Sequence, residues 1–312
     1  MGYKLAGFDV LGNCEIDPII AKVYSANLHP RFSYVMDVRD FLELPDEKIA
    51  PELFDLDVLD GSPPCSTFSM AGEREKAWGK EKVFAEGQKL QRLDDLFFTF
   101  IAIARRLRPK VVVGENVKGL ILGNAKRYVA RISREFGEAG YDLQLFLLNA
   151  SRMGVPQSRE RVFFVARRKD LNLPKLRLEF NEEPLLFGDV RSQYGRPTNA
   201  GLYQSLLKKR KRCDKTIKDI RKRLGVGGSG GFNNRIFWDD VPAPTIAAGA
   251  VYYRGCDGLG LSDADIRNAS TFPQDYTFGK GNASAHFLCG MSVPPVMIAQ
   301  VAAQIAEQFF GK

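Results

Sequence analysis

From residue 8 to residue 166 the chain alternates short apolar runs with longer amphipathic stretches. Phe8-Asp9-Val10-Leu11-Gly12-Asn13-Cys14-Glu15 reads as a strand that ends in an acid. Residues 19–28 have helical spacing, with Asp17 at the N-cap and Pro18 at the first helical position, where no N–H partner is lost. Tyr34-Val35-Met36 is a second short strand leading into Asp37 and Val38, and Leu56-Asp57-Val58-Leu59 is a third. Residues 93–107 set Leu96, Phe97, Phe100, Ile101 and Ala104 on one face of an amphipathic helix, a stripe that is mostly core. Val111-Val112-Val113 is a continuous apolar strand. Residues 126–137 predict another helix, and residues 143–148 and 162–166 two more strands. Strands and helices alternating in this way predict an α/β fold, a doubly wound parallel sheet with helices on both faces.

The alternation stops after Arg168. Residues 225–231 are dense in glycine, which makes a flexible loop that lets backbone approach a ligand closely. Residues 70–91 are polar and mixed in charge; a loop of that length inside a domain is usually functional. The 312 residues, 45% of them hydrophobic, suffice for one α/β core and a smaller domain. No apolar run of about 18 residues occurs, so no membrane span is expected, and the first residues carry no apolar signal segment. The five cysteines, Cys14, Cys65, Cys213, Cys256 and Cys289, form no Cys-x-x-Cys pair. Neither a metal site nor a disulfide framework is expected, and reduced thiols fit a cytoplasmic location.

The formal net charge is +8, with a pI of about 9.2. Residues 208–223 hold ten basic and two acidic side chains, an excess equal to that of the whole chain. Such a block suits a polyanion, most simply nucleic acid, through phosphate neutralisation and counterion release. A solvated basic helix face is the alternative.

The candidate chemistry starts at Gly61-Ser62-Pro63-Pro64-Cys65-Ser66-Thr67-Phe68-Ser69, directly after the third strand. Open α/β sheets place their chemistry at the carboxyl ends of strands. The two prolines fix the backbone, so the thiol points one way, and a thiolate is a strong nucleophile near neutral pH. Taken singly, Cys65 is more often a buried structural cysteine, Glu115 a strand-end acid in a salt bridge, and Arg159 and Arg161 surface charges. They do not occur singly. Gly114-Glu115-Asn116-Val117 follows one apolar strand, and Gln157-Ser158-Arg159-Glu160-Arg161 precedes another. Together and in this order the three segments resemble the Pro-Cys, Glu-Asn-Val and Gln-x-Arg-x-Arg motifs of the cytosine-C5 methyltransferase family.

The resemblance covers almost the whole chain and implies a Rossmann-like class I methyltransferase sheet with a small inserted target-recognition domain. The implied boundaries are a catalytic domain over 1–168, a target-recognition domain over 169–260, and a return to the catalytic domain over 261–312. It implies Cys65 as the nucleophile, Glu115 as the donor to the base, and Arg159 and Arg161 as the groups that fix the base oxygen and a phosphate and lower the thiol pKa. Asn116 supports the loop. S-adenosylmethionine would be held by Glu15 at the ribose, Ile16 at the adenine, Asp37 and Val38 at the adenine edge, and by Pro64, Leu96 and Ser292. The substrate would be double-stranded DNA with the target base flipped out of the stack. Residues 70–91 match a loop that closes over DNA. Residues 262–273 match the ninth motif, a short helix ending in Phe-Pro, and residues 289–295 match the tenth, which opens a helix over 296–309.

The sequence departs from the family at its start. The strand and turn of the form Phe-x-Gly-x-Gly-Gly are missing, and Gly2-Tyr3-Lys4-Leu5-Ala6-Gly7-Phe8-Asp9-Val10 matches the helix end that follows them. The expectation is a start at an internal methionine or a truncated gene, with the central strand absent and two strand edges open. Residues 225–231 follow no strand, which argues against circular permutation. Met291 replaces the usual asparagine of the tenth motif. The leading reading is a DNA cytosine-C5 methyltransferase, the modification partner of a restriction system. A catalytically inactive DNA-binding remnant is the alternative from another class. The RNA-modifying branch ranks lower, because no cysteine is followed by Phe-Thr, and a dinucleotide oxidoreductase is disfavoured by the lack of Gly-x-Gly-x-x-Gly after a first strand. Weakened or lost S-adenosylmethionine binding is the measurable consequence. Calorimetry should find no tight complex, and a micromolar dissociation constant contradicts the expectation.

Overall fold

The computed structural model describes residues 1–63, 95–122, 126–198, 201–228 and 230–311. Pro64, Cys65 and the loop expected at residues 70–91 lie outside the described residues. The chain groups into two compact units. One consists of Asp9–Leu148, Glu160–Leu178 and Gln304–Lys312, the other of Met1–Phe8, Asn149–Arg159 and Glu179–Ala303.

A single helical turn, α1 (Gly2–Leu5), precedes β1 (Gly12–Glu15). Helix α2 (Pro18–Leu28) starts as the sequence predicts, with the Asp17 carboxylate accepting from the Ile19 and Ile20 amides. Strand β2 (Phe32–Val35) leads into α3 (Val38–Leu42), capped by Asp37. β3 (Val58–Gly61), α4 (Leu96–Leu107), β4 (Val111–Val117), α5 (Lys126–Glu138) and β5 (Tyr141–Asn149) follow. The short β6 (Gln157–Ser158) and the long β7 (Glu160–Arg168) come next.

In the first unit β1 and β2 form a parallel pair, Gly12 opposite Phe32 and Glu15 opposite Val35. A four-stranded sheet has the order β3-β4-β7-β5. β3 and β4 are parallel, with Gly61 opposite Gly114. β4 and β7 are antiparallel, with Val111 opposite Arg167 and Val117 opposite Arg161. The all-parallel sheet read from the sequence is therefore corrected to a mixed one. Only residues 150–159 separate β5 from β7, too short a link for a crossover to a parallel strand. Among the described residues β1 and β3 each pair along one edge only.

Helix α4 links these two strand sets. Its Phe97, Phe100, Ile101 and Ala104 pack with Val112, Ile132 and Phe164. Its Ile103 and Leu107 pack on a different side, with Phe41, Ile49 and Leu53 and with Leu11 and Phe32 of the β1–β2 region. The helix is thus apolar on two sides, where the sequence stripe showed one. Phe97 meets Phe164 of β7 edge to face at 5.1 Å, a geometry that adds to simple area burial.

The second unit carries α6 (Phe187–Val190), α7 (Leu202–Lys208), α8 (Ile217–Leu224), β8 (Asn234–Phe237), β9 (Ala243–Pro244), β10 (Val251–Arg254), α9 (Asp263–Ala269) and α10 (Ala285–Met291). Helix α11 (Pro295–Ile305) leads into a π turn, Ala306–Phe310. β8 pairs with β10, and β6 with β9, both in parallel. Leu206, Leu207, Ile217, Ile220, Ile236 and Tyr253 form a small core under α7 and α8. By length and composition Ala285–Phe310 could cross a membrane, but half of its most apolar window is buried in the protein, as in a core helix.

Gly61 ends β3 one residue before Ser62-Pro63. A Cβ there would lie 2.5 Å from Phe100 Cε2 and 2.8 Å from its Cδ2. Phe100 sits in the α4 core, so the ring has little room to move. Gly61→Ala should cost about 1–3 kcal/mol by overpacking, read as a lower denaturant midpoint at unchanged slope. Wild-type stability in this variant would show that the ring yields freely.

Candidate active site

The site grows from the end of β4. Residues two apart on a strand share a face. In the β4–β7 register Arg161 lies opposite Val117 and Phe163 opposite Glu115, so Glu115 and Arg161 are diagonal neighbours on one face. Arg161 Nε stands 2.8 Å from Glu115 Oε1, and both side chains are nearly buried. Arg161 Nη1 also donates to the Glu160 carbonyl at 2.8 Å. Burial pulls the Arg161 guanidinium below its ordinary pKa, and the Glu115 carboxylate pushes it back up.

Asn116 points to the opposite face. Its Nδ2 donates to the Pro63 carbonyl at 3.0 Å, and its Oδ1 accepts from the Val117 amide at 2.9 Å. The buried carboxamide thus ties the end of β4 to the backbone immediately before Pro64-Cys65. Lys118 Nζ bonds both carboxylate oxygens of Glu160 at 2.9 and 3.0 Å, which closes the same end of the β4–β7 ladder.

Arg159 belongs to the other compact unit. It is 1% exposed, and its Nη1 and Nη2 donate to the carbonyls of Ile246 (2.7 Å) and Gly290 (3.0 Å). Gln157 is fully buried beside it in sequence. Its Nε2 donates to the Ala269 carbonyl and its Oε1 accepts from the Ile246 amide. Ser292, the C-cap of α10, is in this unit as well. The structure therefore brings Glu115 and Arg161 together and holds Asn116 on Pro63, while Arg159 and Ser292 fall in the second unit.

Glu15 and Ile16 sit at the carboxyl end of β1, and Asp37 and Val38 at that of the adjacent β2. The Met36 amide donates to the Glu15 carbonyl, which fixes the two ends together. Glu15 Oε1 accepts from the Asp17 amide at 2.9 Å. Ile16 is an exposed apolar side chain. Asp37 Oδ1 accepts from the Arg39 amide, and its Oδ2 pairs with Arg39 Nη1 at 3.3 Å. Leu96 begins α4 and is buried.

One polar residue here was not singled out from the sequence. Asn13 is two residues before Glu15 on the same strand face, and both its amide nitrogen and oxygen are buried without a hydrogen-bond partner among the described residues. The available signal was the period-two spacing from the strand-end acid. The neighbouring Cys14 is a poor nucleophile. Its thiol is pushed up to about 11 by burial first, then by the charges of Glu15 and Asp37. Burial likewise pushes the Cys289 thiol up to about 12. Among the described residues no three metal-ligating side chains gather.

A family model described as C-5 cytosine-specific DNA methylase matches residues 1–226. The chain is 35% identical over 177 residues to the Type II methyltransferase M.FnuDI of Fusobacterium nucleatum, covering 55% of this chain and 44% of that protein. It is 26% identical over 331 residues to the Type II methyltransferase M1.HphI of Haemophilus parahaemolyticus, covering 98% and 83%. With M.FnuDI and with M.DdeI the chain thus spans less than half of the relative's length, 44% and 38%. In fold the chain resembles an Escherichia coli prophage protein described as a putative DNA modification methyltransferase. The TM-score is 0.70 at 16% identity, covering 100% of this chain and 95% of that one. Spodoptera frugiperda DNMT2, in a mutant form, gives 0.60 at 16% identity, covering 97% and 95%.

Removing one partner of a buried ion pair strands the other charge. Arg161→Met should cost about 3 kcal/mol in an otherwise wild-type protein. In a Glu115→Gln background the same change should cost at least about 1 kcal/mol less. A double-mutant cycle by denaturant unfolding measures this coupling. Strict additivity would mean that the two groups do not support each other.

Proposed function

Because this chain belongs to the C-5 cytosine-specific DNA methylase family, we propose that it methylates carbon 5 of a flipped-out cytosine in double-stranded DNA. The observation that carries this reading is the end of β4, where Glu115 is paired to Arg161 and Asn116 grips Pro63. A carboxyl group and a guanidinium are thereby paired at the end of β4, which also holds the backbone of Pro63, the residue that precedes Pro64-Cys65 in sequence.

Carbon 5 of cytosine is a weak nucleophile until a thiolate adds to carbon 6. In the proposed mechanism Cys65 forms that bond, and the ring electrons shift toward carbon 5 and the nitrogen 3 edge. Glu115 hydrogen-bonds nitrogen 3 and delivers a proton as negative charge develops there. Arg161 holds the Glu115 carboxyl in place. Arg159 and Arg161 are the candidates for the base oxygen and a nearby phosphate. Once carbon 5 carries the methyl group, its proton passes to water, the bond between Cys65 sulfur and carbon 6 breaks to restore the ring double bond, and the nitrogen 3 proton returns to Glu115. The target base must leave the duplex stack for this, at a cost of a few kcal/mol.

The residues at the end of β1 fit the cofactor that the family implies. A carboxylate (Glu15), a buried carboxamide lacking a partner among the described residues (Asn13) and an exposed apolar side chain (Ile16) suit sugar hydroxyls and a flat base. S-adenosylmethionine, when bound, supplies an electrophilic methyl group. Glu15, Ile16, Asp37, Val38, Pro64, Leu96 and Ser292 are the residues proposed to hold it. We assign the catalytic domain to 1–168 and 261–312 and target recognition to 169–260. The Type II relatives favour a role in restriction-modification within the cytoplasm.

The test is methylation of unmodified genomic DNA by the purified protein, read by bisulfite sequencing, with S-adenosylmethionine supplied in large excess so that a weak complex still forms. The expected result is 5-methylcytosine at one recurring short sequence. Cys65→Ser should abolish it, and Glu115→Gln should slow it about 10²–10⁴-fold without weakening DNA binding. Methylation that survives in Cys65→Ser would sink the covalent mechanism. No methylation of any sequence by a folded, S-adenosylmethionine-binding protein would sink the activity itself.

A further inference from the structure

Residues 208–223 contain six lysines and four arginines, which the sequence counts alike as positive charge. The structure separates them by partner, although Arg212 is itself exposed. Arg210 donates through Nε to the Gly255 carbonyl (2.7 Å), through Nη1 to Leu207 (2.7 Å) and through Nη2 to Cys256 (2.8 Å). Arg212 pairs with Asp240 at 2.8 Å. Arg223 Nη2 bonds Asp214 at 2.6 Å and the Lys209 carbonyl at 2.7 Å. Arg221 is buried, donates to the Gly227 carbonyl at 3.1 Å and lies over the Tyr203 ring. The two acids of the segment are also engaged: Asp214 by Arg223, and Asp219 in the capping box with Thr216 that starts α8.

All six lysines are exposed. None of their ammonium groups makes a hydrogen bond or an ion pair among the described residues; Lys218 lies 6.0 Å from the centroid of the exposed Phe232 ring. Lys218 and Lys222 are four residues apart on α8 and share a face. Lys208, Lys209 and Lys211 surround the end of α7, and Lys215 directly precedes the Thr216 cap.

We propose that Lys208, Lys209, Lys211, Lys215, Lys218 and Lys222 form a phosphate-binding surface for the backbone of duplex DNA, while the four arginines hold the fold beneath it. This deepens the methylase reading and rests on it. The division follows from the two side chains' chemistry. A guanidinium offers a rigid fork of donors that fits fixed carbonyls and carboxylates, whereas an ammonium is a compact, hydrated point charge on a flexible stem. Contacts to the phosphates of a duplex position the protein and neutralise charge without reading the bases. Charge that neutralises those phosphates belongs on mobile lysines. Since the arginines and both acids are engaged by protein, the six lysine ammonium groups are the charges of this segment left available to an outside anion.

The experiment is the salt dependence of affinity for a random-sequence DNA duplex, comparing wild type with a variant carrying Lys→Gln at all six positions. Each neutralised phosphate contributes about 0.9 to the slope of log affinity against log salt. The variant should therefore lose up to about 5 of that slope while keeping the wild-type melting temperature. A variant with Lys→Arg at all six should keep the slope. Arg210→Gln should lower the melting temperature. An unchanged slope in the six-glutamine variant, with wild type binding and methylating DNA normally, overturns this inference alone. Wild type that fails to bind any DNA overturns both this inference and the methylase reading. A slope that falls equally when Arg210 and Arg212 are replaced, without loss of stability, overturns the division of labour. A duplex RNA bound more tightly than DNA, with the larger slope change, overturns the choice of ligand.

Discussion

The register of the β4–β7 ladder is the constraint on which the candidate site depends. A strand alternates its faces with a period of two, so one residue of slippage would turn Arg161 away from Glu115 and Asn116 away from Pro63 at once. The pairing is held by burial. Val111 through Asn116 are buried on both faces of β4, and Val162 to Ala166 are buried on β7. Phe97 and Phe100 of α4 cover Gly114, where a Cβ would already lie 3.2 Å from Phe97. Hydrophobic burial therefore sets the register, and the register delivers an acid to one face and a carboxamide to the other. The parallel neighbour β3 completes the arrangement by bringing Pro63 within reach of Asn116.

The Glu115–Arg161 pair is poorly explained as a source of stability. Taking two charges out of water costs several kcal/mol per ion, and a buried pair recovers this only with good geometry and further hydrogen bonds. Here the guanidinium has one such bond, to the Glu160 carbonyl. Apolar side chains of similar volume could fill the same diagonal at no such cost. What the pair achieves, and apolar packing cannot, is a carboxyl group fixed in orientation at the end of a strand. That is the property a group must have to meet a ring nitrogen in one direction.

Much of this was legible in the sequence because it is local. Asp17 and Pro18 mark a helix start by their own chemistry, and the cap forms as expected. The stripe on α4 and the apolar run at Val111 depend only on spacing. The three short motifs, by their residues and their order along the chain, pointed to the end of β4 as the candidate site. Features that depend on partners far away in the chain were not legible. The antiparallel direction of β7 follows from a short link and from which strands it joins. The second apolar side of α4 exists because Phe41, Ile49 and Leu53 arrive to cover Ile103 and Leu107. Asn13 was not legible because an asparagine in a strand is unremarkable until its amide is found buried without a partner among the described residues.

Arg159 and Arg161 show the same limit most sharply. They are two residues apart in one motif and carry the same charge, yet the chain passes from one compact unit to the other between Arg159 and Glu160. Arg159 satisfies the carbonyls of Ile246 and Gly290, 87 and 131 residues away. Arg161 meets a carboxylate on the adjacent strand. The 208–223 segment repeats the pattern, since Arg210 reaches carbonyls 45 and 46 residues away while its lysine neighbours reach none among the described residues. A sequence states how much charge a segment holds. Whether that charge is spent inside the fold depends on acceptors that only folding brings near; in 208–223 the arginines meet them, and elsewhere a lysine such as Lys118 does so too.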